Sequence, residues 1–120
     1  MALYVDGFVV PVQKKKVAEY RQLAKRAGKV WLEHGAVDYR ECLADDVKPG
    51  KVTSFPQSVK LKPNEVVVFS WIGYKSRKHR DRVNRKVMAD PRIERMMAGK
   101  TPPFDMKRMI YGGFTTLVEM

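Results

Sequence analysis

The sequence is poor in the residues that commonly bind metals or form cross-links. It has a single cysteine, Cys42, so no disulfide can form within the chain. Neither Cys42 nor the two histidines, His34 and His79, stand at the spacing of a zinc motif such as CxxC or HExxH. We therefore expect no metal site, and we interpret Cys42 as structural because no candidate base stands near it in sequence.

Long apolar runs are also missing. The longest, such as residues 66–71, are far shorter than the ~20 residues that a membrane-spanning helix needs. The first residues do not combine a basic segment with an apolar stretch and a cleavage site, as a secretory signal does. The sequence therefore predicts a soluble, cytoplasmic protein with no membrane association.

Acidic residues are few compared with basic ones, which leaves a formal net charge of +11. Residues 75–92 contain eight lysines or arginines and only two acidic residues. Such a run most often forms a solvated helix face, but it could also follow phosphates, so an RNA-binding module built on helix 75–88 is an alternative function. The residues of that interface would be Arg77, Lys78, Arg80, Arg82, Arg85 and Lys86.

The patterns that are present predict four strands and two main helices. Residues 3–12, 36–44, 65–74 and 109–120 read as strands, because they are rich in β-branched and aromatic side chains or alternate in polarity. Residues 17–34 and the segment after Ser76 have helical periodicity, and Asp90-Pro91 starts a further short helix. The order βαββαβ predicts an α+β, ferredoxin-like domain with an antiparallel four-stranded sheet, spanning residues 1–120.

The third strand is apolar on both faces. Val66, Val68 and Ile72 point one way, and Val67, Phe69 and Trp71 point the other. Two helices cover only one face of such a sheet, and the second face would expose a larger apolar patch than monomers usually show. We therefore expect a homodimer that packs sheet to sheet, unless the loop at residues 45–64 folds back over that face.

Several polar side chains fall on predicted strands, where they could serve a ligand. Asp6 shares a face with apolar residues, so burial would raise its pKa and make it a candidate base. Glu41 on the second strand, together with Arg108 and Tyr111 near the fourth, completes the candidate catalytic set. An acid and an arginine on facing strands could hold a small polar ligand or could neutralise each other.

Aromatic residues and a glycine pair suggest where a ligand would lie. Trp31 and Trp71 could line an aromatic ligand site, although aromatics at helical or strand spacing also form cores and interfaces. Gly112 and Gly113 interrupt the last predicted strand, which suggests a β-bulge that curves the sheet around a partner or opens a cavity below the helices.

Five segments along the chain carry a family resemblance. They are YVDGF (residues 4–8), ECLADDVKPGKVTSF (41–55), VVFSWIGY with Ser76 (67–76), ADPR (89–92) and PFDMKRMIYGGF (103–114). On these motifs the chain resembles the YbaA-like family of small bacterial proteins of unknown function, within the dimeric α/β-barrel superfamily. The resemblance implies a ferredoxin-like fold that pairs into a dimeric α/β barrel.

The resemblance also suggests what such a protein could do. Relatives in that superfamily include cofactor-free monooxygenases, haem-degrading enzymes and isomerase-like proteins, usually with a pocket between sheet and helices. It therefore implies a small organic ligand in that pocket, bound without a cofactor, with monooxygenase- or isomerase-like chemistry as an open question. A structural or interaction protein with a filled core is a further alternative.

The same resemblance makes haem a candidate ligand. Asp6, Trp71 and His79 stand near the places where haem degraders carry an asparagine, a tryptophan and a histidine. The asparagine is absent here, and His79 lies in a basic run where a solvated histidine is expected.

Overall fold

The computed structural model describes residues 3–99 and 101–120 and shows a mixed α/β fold with one antiparallel sheet of four strands. Met1, Ala2 and Lys100, which the predicted domain includes, lie outside the described residues. The elements are β1 (Tyr4–Gln13), a 3₁₀ turn (Lys14–Lys16), α1 (Val17–Glu33), β2 (Asp38–Leu43), α2 (Phe55–Ser58), β3 (Glu65–Tyr74), α3 (Arg77–Met88), α4 (Pro91–Met97) and β4 (Ile110–Thr115). Each predicted strand is present, and the fourth is shorter than predicted.

The sheet has the strand order β2-β3-β1-β4, and each neighbouring pair is antiparallel. β1 pairs with β4 residue for residue, from Tyr4 opposite Thr115 to Val9 opposite Ile110. The bulge predicted at the glycine pair is therefore wrong. A Cβ atom on Gly113 would lie 2.8 Å from Cζ of Tyr4, so this glycine makes room for a tyrosine ring and does not insert an extra residue.

α1 and α3 pack against one face of the sheet, hereafter the inner face. Val12 and Tyr74 on the sheet are fully buried there, as is Val87 of α3. Ser76 caps the start of α3, because its Oγ accepts a hydrogen bond from the His79 amide. Asp90 caps α4 in the same way by accepting from the Arg92 amide, with Pro91 in the first turn.

The opposite, outer face of the sheet is covered only in part. Val59 and Leu61, from the long loop between β2 and β3, pack against Val9 and Val67. The loop therefore folds back over this half of the face, as one of the two alternatives predicted. The other half remains open: Phe69 is 42% exposed and Phe114 is 64% exposed.

None of the helices in the described part of the chain combines the length and apolar character needed to cross a membrane.

Candidate functional site

An open cleft with a volume of about 670 Å³ lies between α1 and the edge strand β2. Its lining is largely apolar, and its charged members are Glu41 on β2 and three basic residues of α1, Arg21, Lys25 and Lys29. The α1 side is formed mainly by Val17, Tyr20, Ala24, Gly28 and Leu32, and the sheet side by Tyr39, Glu41, Cys42, Leu43 and Val68. An apolar cleft with few polar groups is the usual form of a small-molecule site.

Two tyrosines hold the Glu41 carboxylate in place. Tyr20 donates its hydroxyl to Oε1 at 2.7 Å, and Tyr39 donates to Oε2 at 2.8 Å. Burial raises the pKa of both phenols well above the usual value, and the nearby Glu41 charge adds to the effect. Both hydroxyls therefore stay protonated and act as donors. Among the ion pairs of the described residues, none involves Glu41.

The closeness of α1 to Tyr39 depends on a glycine. A Cβ atom on Gly28 would lie 2.7 Å from the Tyr39 ring, so the missing side chain lets the ring lie against the helix backbone. Trp31, about one turn further along α1, also lies beside this ring, with centroids 6.3 Å apart. Gly28 thus fixes the position of one of the two tyrosines that orient Glu41.

Asp6 lies on the inner face, but it does not line this cleft. Asp6 is 6% exposed, and its carboxylate pairs with Arg80, whose Nη1 donates to Oδ1 at 3.1 Å. Arg80 also donates to the Tyr4 hydroxyl at 3.2 Å. Burial raises the pKa of Asp6 above its usual value, as predicted, and the Arg80 charge opposes that rise. The arrangement is a buried ion pair that ties α3 to β1.

Trp31 takes part in a second interior contact. Its indole Nε1 donates to Asn84 Oδ1 at 3.1 Å, and the Tyr74 hydroxyl donates to the same oxygen at 3.1 Å. These bonds link α1, α3 and β3. Trp31 therefore holds the helices to the sheet and is not among the residues that line the cleft.

Arg108 lies just before β4, away from both predicted acids. It pairs with Glu65 at the start of β3 and with Asp105 three residues earlier in sequence. Arg108 therefore pairs with a strand acid, but that acid is Glu65 and neither Asp6 nor Glu41. Glu65 lies on the outer face of the sheet, whereas Asp6 and Glu41 lie on the inner face, because side chains alternate between the two faces along each strand.

The remaining candidate ligand residues are spread over both faces of the sheet. Tyr111 stacks on Phe8 at the open β4 edge, with ring centroids 6.0 Å apart, and it is 71% exposed. Gly112 lies on the outer face opposite Gly7. Trp71 is also on the outer face, where its Nε1 donates to Asp38 at 2.9 Å. The two tryptophans and the four predicted catalytic residues therefore do not meet in one site.

The three residues considered for haem do not converge either. Asp6 points to the inner face and Trp71 to the outer one. Asp6 pairs with Ile72, the neighbour of Trp71, and successive side chains of a strand point to opposite faces. His79 Nδ1 accepts a hydrogen bond from the Lys75 amide at 2.9 Å. Burial and the nearby Arg82, Lys75 and Lys86 lower the pKa of His79. No group of three His, Cys, Asp or Glu side chains suited to a metal ion occurs within residues 3–99 and 101–120.

Comparison with known proteins gives a family. A family model described as "Protein of unknown function (DUF1428)" matches residues 3–106. The chain belongs to the DUF1428 family. It is 50% identical to the uncharacterised protein YbaA of Escherichia coli strain K12 over 116 residues, which is 97% of each chain, and equally similar to YbaA of Shigella flexneri. A de novo designed protein, Foldit4, aligns with 98% of this chain and 99% of its own at 15% identity and a TM-score of 0.44.

In this DUF1428 chain, α3 presents most of the predicted nucleic-acid residues to solvent. Five are exposed: Arg77, Lys78, Arg82, Arg85 and Lys86. The sixth, Arg80, points inward to Asp6. The solvated face expected for a charge run is thus present on α3, and nucleic-acid binding stays a prediction.

Sequence reasoning missed most partners of the polar residues it selected. Tyr39 could have been found, because it stands two residues before Glu41 and shares its strand face. Tyr20 is one of the buried residues of α1, but nothing in the sequence aligns it with β2. Arg80 and Glu65 lie 74 and 43 residues from the side chains they bond, so local spacing carried no signal for those pairs.

Proposed function

We propose that this DUF1428 protein binds a small organic molecule in the cleft between α1 and β2, through an apolar body and one hydrogen-bond donor. The observation that carries the proposal is the Glu41 carboxylate, which two tyrosines hold at the lining of an apolar cleft. A donor such as an amine or a hydroxyl on the ligand would bond Glu41. The apolar body would lie against Ala24, Leu32 and Val68.

The chemistry of the carboxylate supports a donor on the ligand. An ionised carboxylate can accept about four hydrogen bonds, and the two tyrosines provide two of them. Among the described residues, no cation forms an ion pair with the Glu41 carboxylate, and the cleft around it is largely apolar. A charge-assisted hydrogen bond from a ligand would therefore stabilise this carboxylate. The cleft volume of about 670 Å³ also suits a drug-sized or smaller molecule.

The proposal assigns binding to the cleft and no reaction. Of the four residues predicted to be catalytic, Glu41 alone lines it. Asp6 is ion-paired with Arg80, Arg108 with Glu65, and Tyr111 lies at the far edge of the sheet on β4.

The same proposal includes a ferredoxin-like topology and a homodimer of the dimeric α/β-barrel type. The strand order β2-β3-β1-β4, with α1 and α3 in the two crossovers, supports the topology. The exposed apolar half of the outer face, which includes Phe69, Ile110 and Phe114, supports a second copy packed sheet to sheet. The α1/β2 cleft lies on the helix side of the sheet, so a second copy packed on the outer face would leave this cleft accessible.

Native mass spectrometry of protein purified gently from cells tests both parts at once. We expect a dimer that carries a discrete additional small mass. Glu41→Gln should lose that mass, whereas Glu94→Gln on α4, which removes the same charge from an exposed position, should keep it.

A titration with 2-phenylethylamine, followed by amide chemical shifts in NMR, provides a direct probe. We expect shifts in α1 and β2 that are weakened in Glu41→Gln and unchanged in Glu94→Gln. Protein that retains no small mass and shows no shifts in α1 or β2 with this amine or with benzyl alcohol would refute the cleft as a binding site. Equal behaviour of the two variants would refute the role of Glu41.

A further inference from the structure

A second open cleft, with a volume of about 760 Å³, lies between α1 and α4 and is also lined by residues 101–103. Apolar side chains form much of its surface: Leu23, Val30, Met96, Met97, Pro102 and Pro103. Val30 and Pro103 are buried, so the base of the cleft is part of the packed protein. Lys29 is the one residue that lines both this cleft and the α1/β2 cleft.

The charged residues of this second cleft are mostly basic. They are Arg26, Lys29, Arg92 and Arg95, with Glu19 and Glu33 as the acids. Arg92 bonds Glu33 at 2.7 Å and Asp90 at 2.9 Å, so its positive charge is already paired with carboxylates of the protein. Among the described residues, no ion pair involves Arg26, Lys29 or Arg95. The cleft thus keeps three cations against the single carboxylate of Glu19.

The spacing along α1 explains how apolar and basic groups come together. Leu23, Arg26 and Val30 follow one another at steps of three and four residues, so they lie on one stripe of the helix. α4 contributes Arg95 and Met96 from the facing side. The result is a basic rim above an apolar base, and methionine side chains adapt readily to the shape of a bound chain.

We propose that the α1/α4 cleft binds an amphipathic anion, such as a medium-chain carboxylate, with its headgroup at Arg26 and Arg95 and its tail along Leu23 and Met96. Arginine suits the role because its planar guanidinium bonds a carboxylate at two points. The net charge of +11 also attracts anions to the surface.

Decanoate is the probe for this site. Titrated into the isotope-labelled protein, it should shift the amide signals of residues 23–33 and 92–97 in NMR spectra. The double variant Arg26→Gln/Arg95→Gln should raise the Kd for decanoate about tenfold, because two charge-assisted bonds are lost. The uncharged decan-1-ol should bind the wild type more weakly than decanoate and should not distinguish the variant from the wild type.

A matched control separates a local site from general attraction. Lys48→Gln/Lys51→Gln removes the same charge from an exposed loop and should leave the Kd for decanoate unchanged. Equal weakening by both double variants would overturn the proposal, as would shifts confined to Phe69 and Phe114 on the outer face. Because the proposed amine site is probed with 2-phenylethylamine and Glu41→Gln, failure of one site does not affect the test of the other.

Discussion

The guanidinium of Arg108 meets the carboxylate of Glu65 through two parallel hydrogen bonds, Nη1 to Oε1 at 2.8 Å and Nη2 to Oε2 at 2.5 Å. Nη1 also reaches the carbonyl oxygens of Val59 and Lys60, at 3.2 and 3.0 Å. One arginine thus connects the segment before β4, the start of β3 and the loop that covers half of the outer face. The pair organises that loop and has no contact with the α1/β2 cleft.

Replacement of Glu65 should destabilise the fold. Glu65→Gln leaves the Arg108 charge without its buried partner, and loss of one member of such a pair typically costs about 3 kcal/mol of unfolding free energy. Urea denaturation at pH 7 measures the loss. Glu94→Gln on the surface of α4 serves as the control and should change the unfolding free energy by less than about 0.5 kcal/mol.

The same pair predicts a pH dependence. The hydrogen bonds from Arg108 lower the pKa of Glu65 below its usual 4.5, although burial opposes them. A carboxyl group with a lowered folded-state pKa contributes stability above its unfolded pKa and loses it as the pH falls through the folded value. The difference in unfolding free energy between wild type and Glu65→Gln should therefore be constant above pH 5 and shrink below about pH 4.5. Parallel stability curves down to pH 3 would contradict this assignment.

The two glycines of β4 should respond differently to alanine. A Cβ atom on Gly113 would lie 2.8 Å from Cζ of Tyr4, a ring that Arg80 holds by its hydroxyl. Gly113→Ala must displace that ring, so we expect a loss of about 1–3 kcal/mol in unfolding free energy. A Cβ atom on Gly112 comes no closer than 3.8 Å to Phe114, and Gly112→Ala should be neutral or slightly stabilising. Thermal unfolding of both variants checks this, and equal effects would argue against the Tyr4 contact.

Removal of the Tyr20 hydroxyl should weaken the structure around Glu41. Tyr20→Phe removes the donor to Oε1 of the half-buried Glu41, and loss of such a hydrogen bond typically costs about 0.5–1.5 kcal/mol. A double-mutant cycle with Glu41→Gln should show coupling between the two changes. Tyr111→Phe, at the exposed β4 edge, should have little effect on unfolding free energy. Additive effects of Tyr20→Phe and Glu41→Gln would show that the hydroxyl does not support the carboxylate.

A charge on the open half of the outer face should prevent the proposed dimer. Phe114 is 64% exposed, so Phe114→Glu leaves the monomer core intact and places a charge where the second copy would pack. Sedimentation velocity should report a dimer for the wild type and a monomer for Phe114→Glu. Met88→Glu, at an exposed position of α3 on the helix side, should remain dimeric. A wild-type monomer would refute the proposed dimer.

Patterns within one segment were enough to predict the four strands and the helices α1, α3 and α4, but not α2, which lies in the segment predicted to be a loop. Alternation and β-branched residues located β1, β2 and β3, and Ser76 marked the start of α3. These signals are local because each arises from backbone preferences or from hydrogen bonds within one turn. The boundary of β4 was less accurate, since the strand ends at Thr115 where pairing with β1 stops, and the sequence of β4 itself does not specify that limit.

The sequence by itself therefore determined the order of strands and helices, the two-faced apolar character of β3 and the surplus of positive charge. Only the tertiary structure decided which charges meet. Asp6 pairs with Arg80, Glu65 with Arg108, and Glu41 with Tyr20 and Tyr39, and all but the last contact join distant segments. The physical reason is that a side chain's partner depends on strand register and on which sheet face a helix covers, and long-range packing of the whole chain sets both.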